Sequence, residues 1–401
     1  MNEAICEYYL NEIIYQKIND YMMLENEQGE IEEIKEELED SYSNDDLYNI
    51  NSWGADLSFR ELISMYEEEE LLKPELQRKY VWDKSEASRF VESILLGLPV
   101  PSIFLANTKD EKKLIIDGYQ RIMTVFDYVS GVWTKDGKIF KLSNTEKINE
   151  RWRGKAFGEL EKADQRRIRS TTIHAIVFEQ RSPADNDTSL YQVFERINTG
   201  GRALMPQEIR NCVNQGHFND LLFDLNKNQY WRILFGKEVE DSRMRDMEFI
   251  LRFLALDTEF IHSTEASTIS LKKYLNEFMG NENSQSHETI INRRDKFNFV
   301  MDFIHMHIGE NAFYNIVSGE EFKIRKRFYP TIFDAICPAV SIAYQRLGNE
   351  IPKDNLEIKR IAMLKDPDFR KYTSEGTMQL AHIHGRIDKA LNYLFGIKYE
   401  E

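Results

Sequence analysis

The sequence predicts an α+β protein: a small mixed-sheet domain followed by a mostly α-helical one. Between Trp53 and about Val177, short β-branched runs alternate with amphipathic helical stretches. Beyond Ser189, apolar residues fall almost everywhere at helical spacing. At 401 residues, the chain is long enough for two domains, each with its own core. The boundaries read as an acidic helical N-terminal segment at 1–52, the mixed-sheet domain at 53–188 and the all-α domain at 189–401.

Taken in order, Cys6, Tyr9, Leu10, Ile13, Ile14, Ile18 and Tyr21 fit an amphipathic helix within residues 1–24. From Glu25 to Asp46 there are eleven acidic residues and one lysine, which reads as a solvated helix or linker. A regulatory tail that mimics nucleic acid is the second reading of that segment. A helix at Ser58–Glu70 leads to Leu76–Trp82, and Asp83 or Ser85 caps a helix at Glu86–Leu96 with Phe90, Val91, Ile94 and Leu95 on one face. Gly97 ends it, and Pro99 and Pro101 bracket a turn into a strand at Ile103–Ala106. A charged hairpin, Asn107–Lys112, joins it to a strand at Leu114–Ile116, and Thr171–Phe178 reads as another buried strand. Helical periodicity then covers Tyr191–Asn198, Pro206–Gln215, Phe218–Asn226, Met244–Leu256, Leu271–Met279, Asp295–Ile308, Thr331–Tyr344 and Met378–Leu394.

Composition narrows the function. With 42% hydrophobic and 30% charged residues and no apolar run near the ~18 residues a bilayer needs, the chain reads as a soluble cytoplasmic protein with no membrane partner. Three distant cysteines, Cys6, Cys212 and Cys337, fit neither a metal site nor a disulfide framework and read as inert buried thiols. The net charge of −16 argues against general nucleic-acid binding through the overall field, yet the 25–46 segment carries most of it. Elsewhere, local basic clusters remain, at Arg151–Lys155, at Arg166–Arg169 and at Lys323, Arg325, Lys326 and Arg327. The last runs into Phe328 and Tyr329, a pattern suited to contact with a nucleic-acid backbone and bases; a salt-bridged solvated face is its plainer account.

The chemistry centres on residues 114–124. A strand ends in Asp117-Gly118, and a helix begins at Tyr119 with Gln120 and Arg121 in its first turn. A helix N-terminus presents unpaired N–H groups and a positive dipole end, which suit an anion. Arg121 is unfavourable there unless an anion compensates it, and its planar fork fits phosphate oxygens. Its plain role is pairing with a structural carboxylate. Asp117 reads as the helix cap, or as a group beside the anion that orients Arg121 or holds a metal. No Gly-Lys-Ser/Thr phosphate loop, triple-glycine dinucleotide turn or nucleophile elbow occurs.

Five ordered motifs together resemble a known family: Gln77–Trp82, Ser93–Pro101, Asp117–Arg121, Phe194–Gly201 and Leu204–Asn211. Over roughly residues 54–260 their order and spacing are similar to the DUF262 family, the N-terminal half of GmrSD-type modification-dependent restriction proteins. The resemblance implies a ParB/sulfiredoxin-like nucleotide-binding core that hydrolyses a nucleoside triphosphate in bacterial anti-phage defence, coupled to DNA sensing. The family's Asp-Gly-Gln-Gln-Arg signature falls on Asp117, Gly118, Tyr119, Gln120 and Arg121, with Tyr119 in place of the first glutamine. That departure puts hydrolysis in doubt more than phosphate binding; Tyr119 stacks on a base or simply packs. Asp117, Gln120 and Arg121 are the candidate catalytic residues.

Arg78, Gly118, Tyr119, Asn198, Thr199, Gly200 and Gly201 are the candidate nucleotide-binding residues. Arg78 either adds a second positive group to the phosphates or lies over Trp82 or Tyr80. Asn198 and Thr199 have oxygens for Mg²⁺ beside two glycines that permit close backbone approach; a helix C-cap is the simpler reading. Glu208 positions an Arg or a water, or stabilises its own helix start. His305 with His307, and His382 with His384, are each two apart, a poor metal pair on a helix, so no HNH-type nuclease is read here. The expected partners are a nucleoside triphosphate, DNA and a separate effector or nuclease, with an oligomer open. The competing expectation is a non-catalytic nucleotide- or DNA-binding module that regulates a partner.

Overall fold

Our computed structural model describes residues 30–38, 49–72, 82–108, 111–182, 191, 193, 195, 196, 205–214, 216–264, 266–317 and 323–399. The described strands, in chain order, are β1 (Glu30–Ile31), β2 (Asn49–Ser58), β3 (Leu71–Leu72), β4 (Ile103–Asn107), β5 (Lys113–Asp117), β6 (Thr172–Ser182), β7 (Tyr314–Val317) and β8 (Lys323–Phe328). The chain divides into two units, residues 44–215 and residues 1–43 with 216–401. The α+β class holds.

In the first unit the strands form one mixed sheet in the order β2-β6-β4-β5-β3. Long β2 runs antiparallel to β6, β4 is parallel to β6 and antiparallel to β5, and β3 is parallel to β5. Alternation of side chains gives this sheet two covered faces. Ile103, Leu105, Ile115, Ile173, Ala175 and Val177 pack into one core with the helices Lys84–Leu96 and Tyr119–Ser130. Ala106, Leu114, Ile116 and Phe178 face the other way, onto Ile209 and Cys212 of the helix Pro206–Val213. That helix follows the helical periodicity of the chain's second half, yet it groups with the sheet.

Local chemistry fixes the helix ends. Ser58 and Glu61 form a capping box on the helix Phe59–Glu67, and Asp83 and Glu86 form one on Lys84–Leu96. Gly97 closes the latter in the left-handed conformation at φ 76°.

The second unit is helical around an aromatic core in which Trp231, Phe235, Phe249, Phe313, Phe328 and Phe333 meet edge to face or tilted. The helix Pro330–Leu347 is buried continuously from Pro330 to Ala343, as expected of a helix that is apolar all round. Inside it, Asp334 holds the buried guanidiniums of Arg252 and Arg386. Cys337 and, in the other unit, Cys212 are free and buried, and burial pushes both thiols up. Cys6 and the helix expected over 1–24 lie outside the described residues.

Two expectations are corrected here. Helical spacing hid a three-stranded sheet in the helical unit, ordered β1-β8-β7, to which the N-terminal segment gives β1 and the second half β7 and β8. The described part of the acidic segment is not a solvated arm. Glu30 and Ile31 pair in parallel with Arg327 and Phe328, and Glu36 and Glu37 are held by the helical unit. Charge density suggests solvation only when no cations await it, and here they stand some 300 residues away in sequence, where no local pattern reveals them.

Candidate functional site

The turn Asp117–Arg121 sits where β5 leaves the sheet and the helix Tyr119–Ser130 begins. Gly118 is the N-cap at φ 101°, with no side chain capping the helix. A Cβ at this position would lie 2.3 Å from Ile103 Cγ2, so glycine is needed for both its backbone conformation and its close approach to β4.

Asp117 is therefore not the cap. Its carboxylate accepts instead from Arg121 Nη2, while Arg121 Nη1 donates to the Pro101 carbonyl at 3.1 Å. The Arg121 side chain is 14% exposed and that of Asp117 is 43% exposed. An anion that compensates an arginine in the first helical turn is thus supplied by the chain itself, four residues earlier, which is the plainer of the two readings the sequence left open.

Gln120 Oε1 accepts from the Trp82 backbone N–H at 3.3 Å, tying the end of the Gln77–Trp82 motif to the turn. Trp82 packs edge-on to Phe90 at 5.5 Å, a core contact. Tyr119 packs against the main core, and burial, with Tyr66 and the Asp127 carboxylate nearby, pushes its hydroxyl up to about 12. Asp127 is buried and bonded to Thr134 through both its oxygens, and burial raises its carboxyl. Three sequence motifs meet at this point: Trp82 from the first, Pro101 from the second, and Gln120 and Arg121 from the third. The Pro101 carbonyl and Ile103 were not singled out by sequence reading, because a backbone acceptor and an aliphatic side chain carry no chemical signal.

Arg78, Asn198, Thr199, Gly200 and Gly201 lie outside the described residues. Glu208 accepts from the Met205 N–H at 2.6 Å, the simple helix-start role. Among the described residues, no group of three or more His, Cys, Asp or Glu could hold a metal ion. His305 stacks on Tyr230, His382 meets the Glu375 carbonyl at 2.6 Å and His384 the Ile261 carbonyl at 2.7 Å.

Residues 59–214 match the model of the GmrSD restriction endonuclease N-terminal domain. The chain carries a GmrSD N-terminal domain, of the DUF262 family. The matched segment takes in the Asp117–Arg121 turn and the helix Pro206–Val213, and it coincides closely with the sheet unit. The matched domain's description points to restriction and defence. No curated protein matches the chain.

In the other unit, the basic run forms β8, in the middle of its sheet. Arg327 donates to Glu32 at 2.7 Å and to Glu30 at 2.8 Å. Arg325 and Arg327 both stand beside Tyr329, and the pairing of β8 with β7 shifts register between Arg325 and Phe328. Of the remaining basic clusters, Arg151 pairs with Glu161 and Asp164, Arg167 donates to the Leu95 carbonyl and Arg169 lies over Phe157. No helix among the described residues is long and apolar enough to cross a membrane.

Proposed function

We propose that the GmrSD N-terminal domain of this chain binds a nucleoside triphosphate at the Asp117–Arg121 turn, with phosphate contact by Arg121, and couples that binding to DNA sensing in anti-phage defence. The observation that carries the reading is the turn itself: a left-handed Gly118 opens a helix without a side-chain cap, and a largely buried guanidinium stands over its first turn. Uncapped N–H groups and a guanidinium fork are what phosphate oxygens take. In this reading, Arg78, Tyr119 and the Asn198–Gly201 turn complete the nucleotide site, Gln120 is held by Trp82 for positioning, and Asn198 or Thr199 supplies oxygen to Mg²⁺. Lys323, Arg325 and Arg327 on β8 contact the DNA backbone. The output passes to an effector nuclease.

A second reading, a switch that binds nucleotide without hydrolysing it, is favoured by one specific observation. Asp117 neutralises Arg121, and the family's first glutamine is replaced by a packed Tyr119. Nucleotide binding and phosphate release, measured with and without duplex DNA for the wild type and Arg121→Ala, separate the two. Turnover that disappears in the variant supports the triphosphatase, binding without turnover supports the switch, and neither binding nor turnover with any of the four ribonucleoside triphosphates rejects both.

A further inference from the structure

The segment Glu30–Leu38 is held by three attachments of unequal depth. At its C-terminal end, Glu37 takes both Arg252 Nη1 and Nη2, at 2.6 and 2.7 Å. Arg252 is 2% exposed and shares the fully buried Asp334 with Arg386. Two buried guanidiniums face only Asp334 unless Glu37 is present, so Glu37 completes a neutral interior and cannot leave cheaply. Glu36 next accepts from the N–H groups of Gly376 and Thr377 at 2.8 and 2.7 Å. The N-terminal end is held more weakly. β1 is two residues long, and the side chains of Glu30 and Glu32 that meet Arg327 are 54% and 35% exposed. Exposed pairs of this kind contribute little to stability and are screened by salt.

That weakly held end is itself part of the wall of an open groove of about 520 Å³, which Glu30, Ile31, Glu32 and Glu33 line together with Lys237, Arg245 and Arg327. The cations of the wall belong to the body of the unit. Lys237 and Arg245 share Asp241, at 3.4 and 2.7 Å, and Arg327 is on the same strand as Arg325 and Lys323. Tyr329 stands beside Arg325 and Arg327. Lys237, Arg245 and Arg327 outnumber Asp241, so the wall is net positive. The three carboxylates of Glu30, Glu32 and Glu33 reverse its sign.

We propose that Glu30–Glu33 is an autoinhibitory strap, fixed at Glu37 and able to peel from its β1 end, whose carboxylates hold Arg327 beside that groove in place of a DNA phosphate backbone. The proposal rests on the reading of β8 as a DNA-contacting strand and adds its regulation. Carboxylates in place of phosphates on Arg327 keep the surface closed to weak or non-specific DNA. A strand of DNA that also reaches Arg325 and Lys323 displaces them.

The test is fluorescence anisotropy of a labelled 20-base-pair duplex, without nucleotide, over a salt series. It uses the full chain and a Glu30→Gln, Glu32→Gln, Glu33→Gln triple variant, with thermal melting to verify that the fold is retained. A control variant, Glu67→Gln, Glu68→Gln and Glu70→Gln, makes the same charge change on exposed residues of the other unit. The strap variant is expected to bind about tenfold tighter than the wild type and the control. Its log K against log salt should steepen by about two phosphates' worth, roughly 0.9 per contact. Adding Arg327→Ala to the strap variant should abolish the gain. An equal gain in the control, or one that survives Arg327→Ala, overturns the strap. If all forms bind equally and Arg327→Ala weakens each, the DNA face stands and the strap falls. No binding by any form rejects both.

Discussion

Arg121 donates to the Asp117 carboxylate four residues earlier in the chain, so the cation of the proposed phosphate cradle already holds an internal anion. A phosphate arriving at the turn has to displace that carboxylate or share the guanidinium with it. The pair thereby sets the affinity of the site rather than only its geometry.

Asp117→Asn releases Arg121 while keeping the side chain's shape. Nucleotide affinity is expected to rise about twofold to fivefold, matching the ~0.5–1 kcal/mol of a part-exposed ion pair. Isothermal titration calorimetry measures it. A fall in affinity would mean that Asp117 itself serves the ligand.

Tyr119→Gln restores the family signature at the turn. If the missing glutamine places a water or a base, phosphate release should increase by roughly a hundredfold, the lower end for a positioned group. Tyr119→Phe should leave release unchanged. A malachite-green assay on both variants distinguishes a lost positioning group from a turn that never supported hydrolysis.

Gly118→Ala combines a positive φ with a Cβ 2.3 Å from Ile103 Cγ2. A loss of about 2–4 kcal/mol in the sheet unit is expected from the two strains together. Urea unfolding followed by Trp fluorescence should show the lower midpoint. Pairing it with Ile103→Val should recover only part, because the backbone strain persists.

Asp334→Asn removes the carboxylate that Arg252 and Arg386 share, leaving Arg252 with Glu37 and Arg386 with the Thr377 carbonyl. Breaking a buried charge network of this kind costs about 3–5 kcal/mol. The helical unit should unfold at correspondingly lower urea, whereas the surface substitution Glu350→Gln, on an exposed residue, should not change the midpoint.

Asp366 gives the helical unit an acid-labile contact. Burial pushes its carboxyl up, but the Phe369 N–H, Lys389 and Tyr393 together outweigh it and hold the carboxyl at about 2. A folded value below the ordinary ~3.9 stabilises the fold above pH ~4, and that contribution is lost as pH falls towards 2. Stability measured from pH 5 to 2 should decline more steeply in the wild type than in Asp366→Asn.

Local patterns made much of the fold legible. Asp83, Gly97 and the apolar face of the helix Lys84–Leu96 are signalled by residues within four positions of one another, as is the strand–turn–helix at Asp117–Arg121. What escaped reading depends on distant partners. The neutral pairing of Arg121 was one of two open readings until Asp117 was placed beside it. β1 has two residues and owes its existence to β8, and Arg327 finds Glu30 almost 300 positions away. The helices Gln229–Phe235, Leu356–Lys365 and Pro367–Ser374 fall outside the periodic runs read from the sequence.

The docking of Glu36 and Glu37 onto Gly376, Thr377 and Arg252 also orders events during synthesis. The sheet unit is continuous in sequence and can mature as soon as it clears the ribosome, while the acidic residues that precede it must wait for Arg252, Gly376 and Thr377 to emerge. Closing so long a loop is slow and comes late. A nascent chain of this protein therefore carries its acidic residues 30–37 without their partners until residues 252–377 have been made.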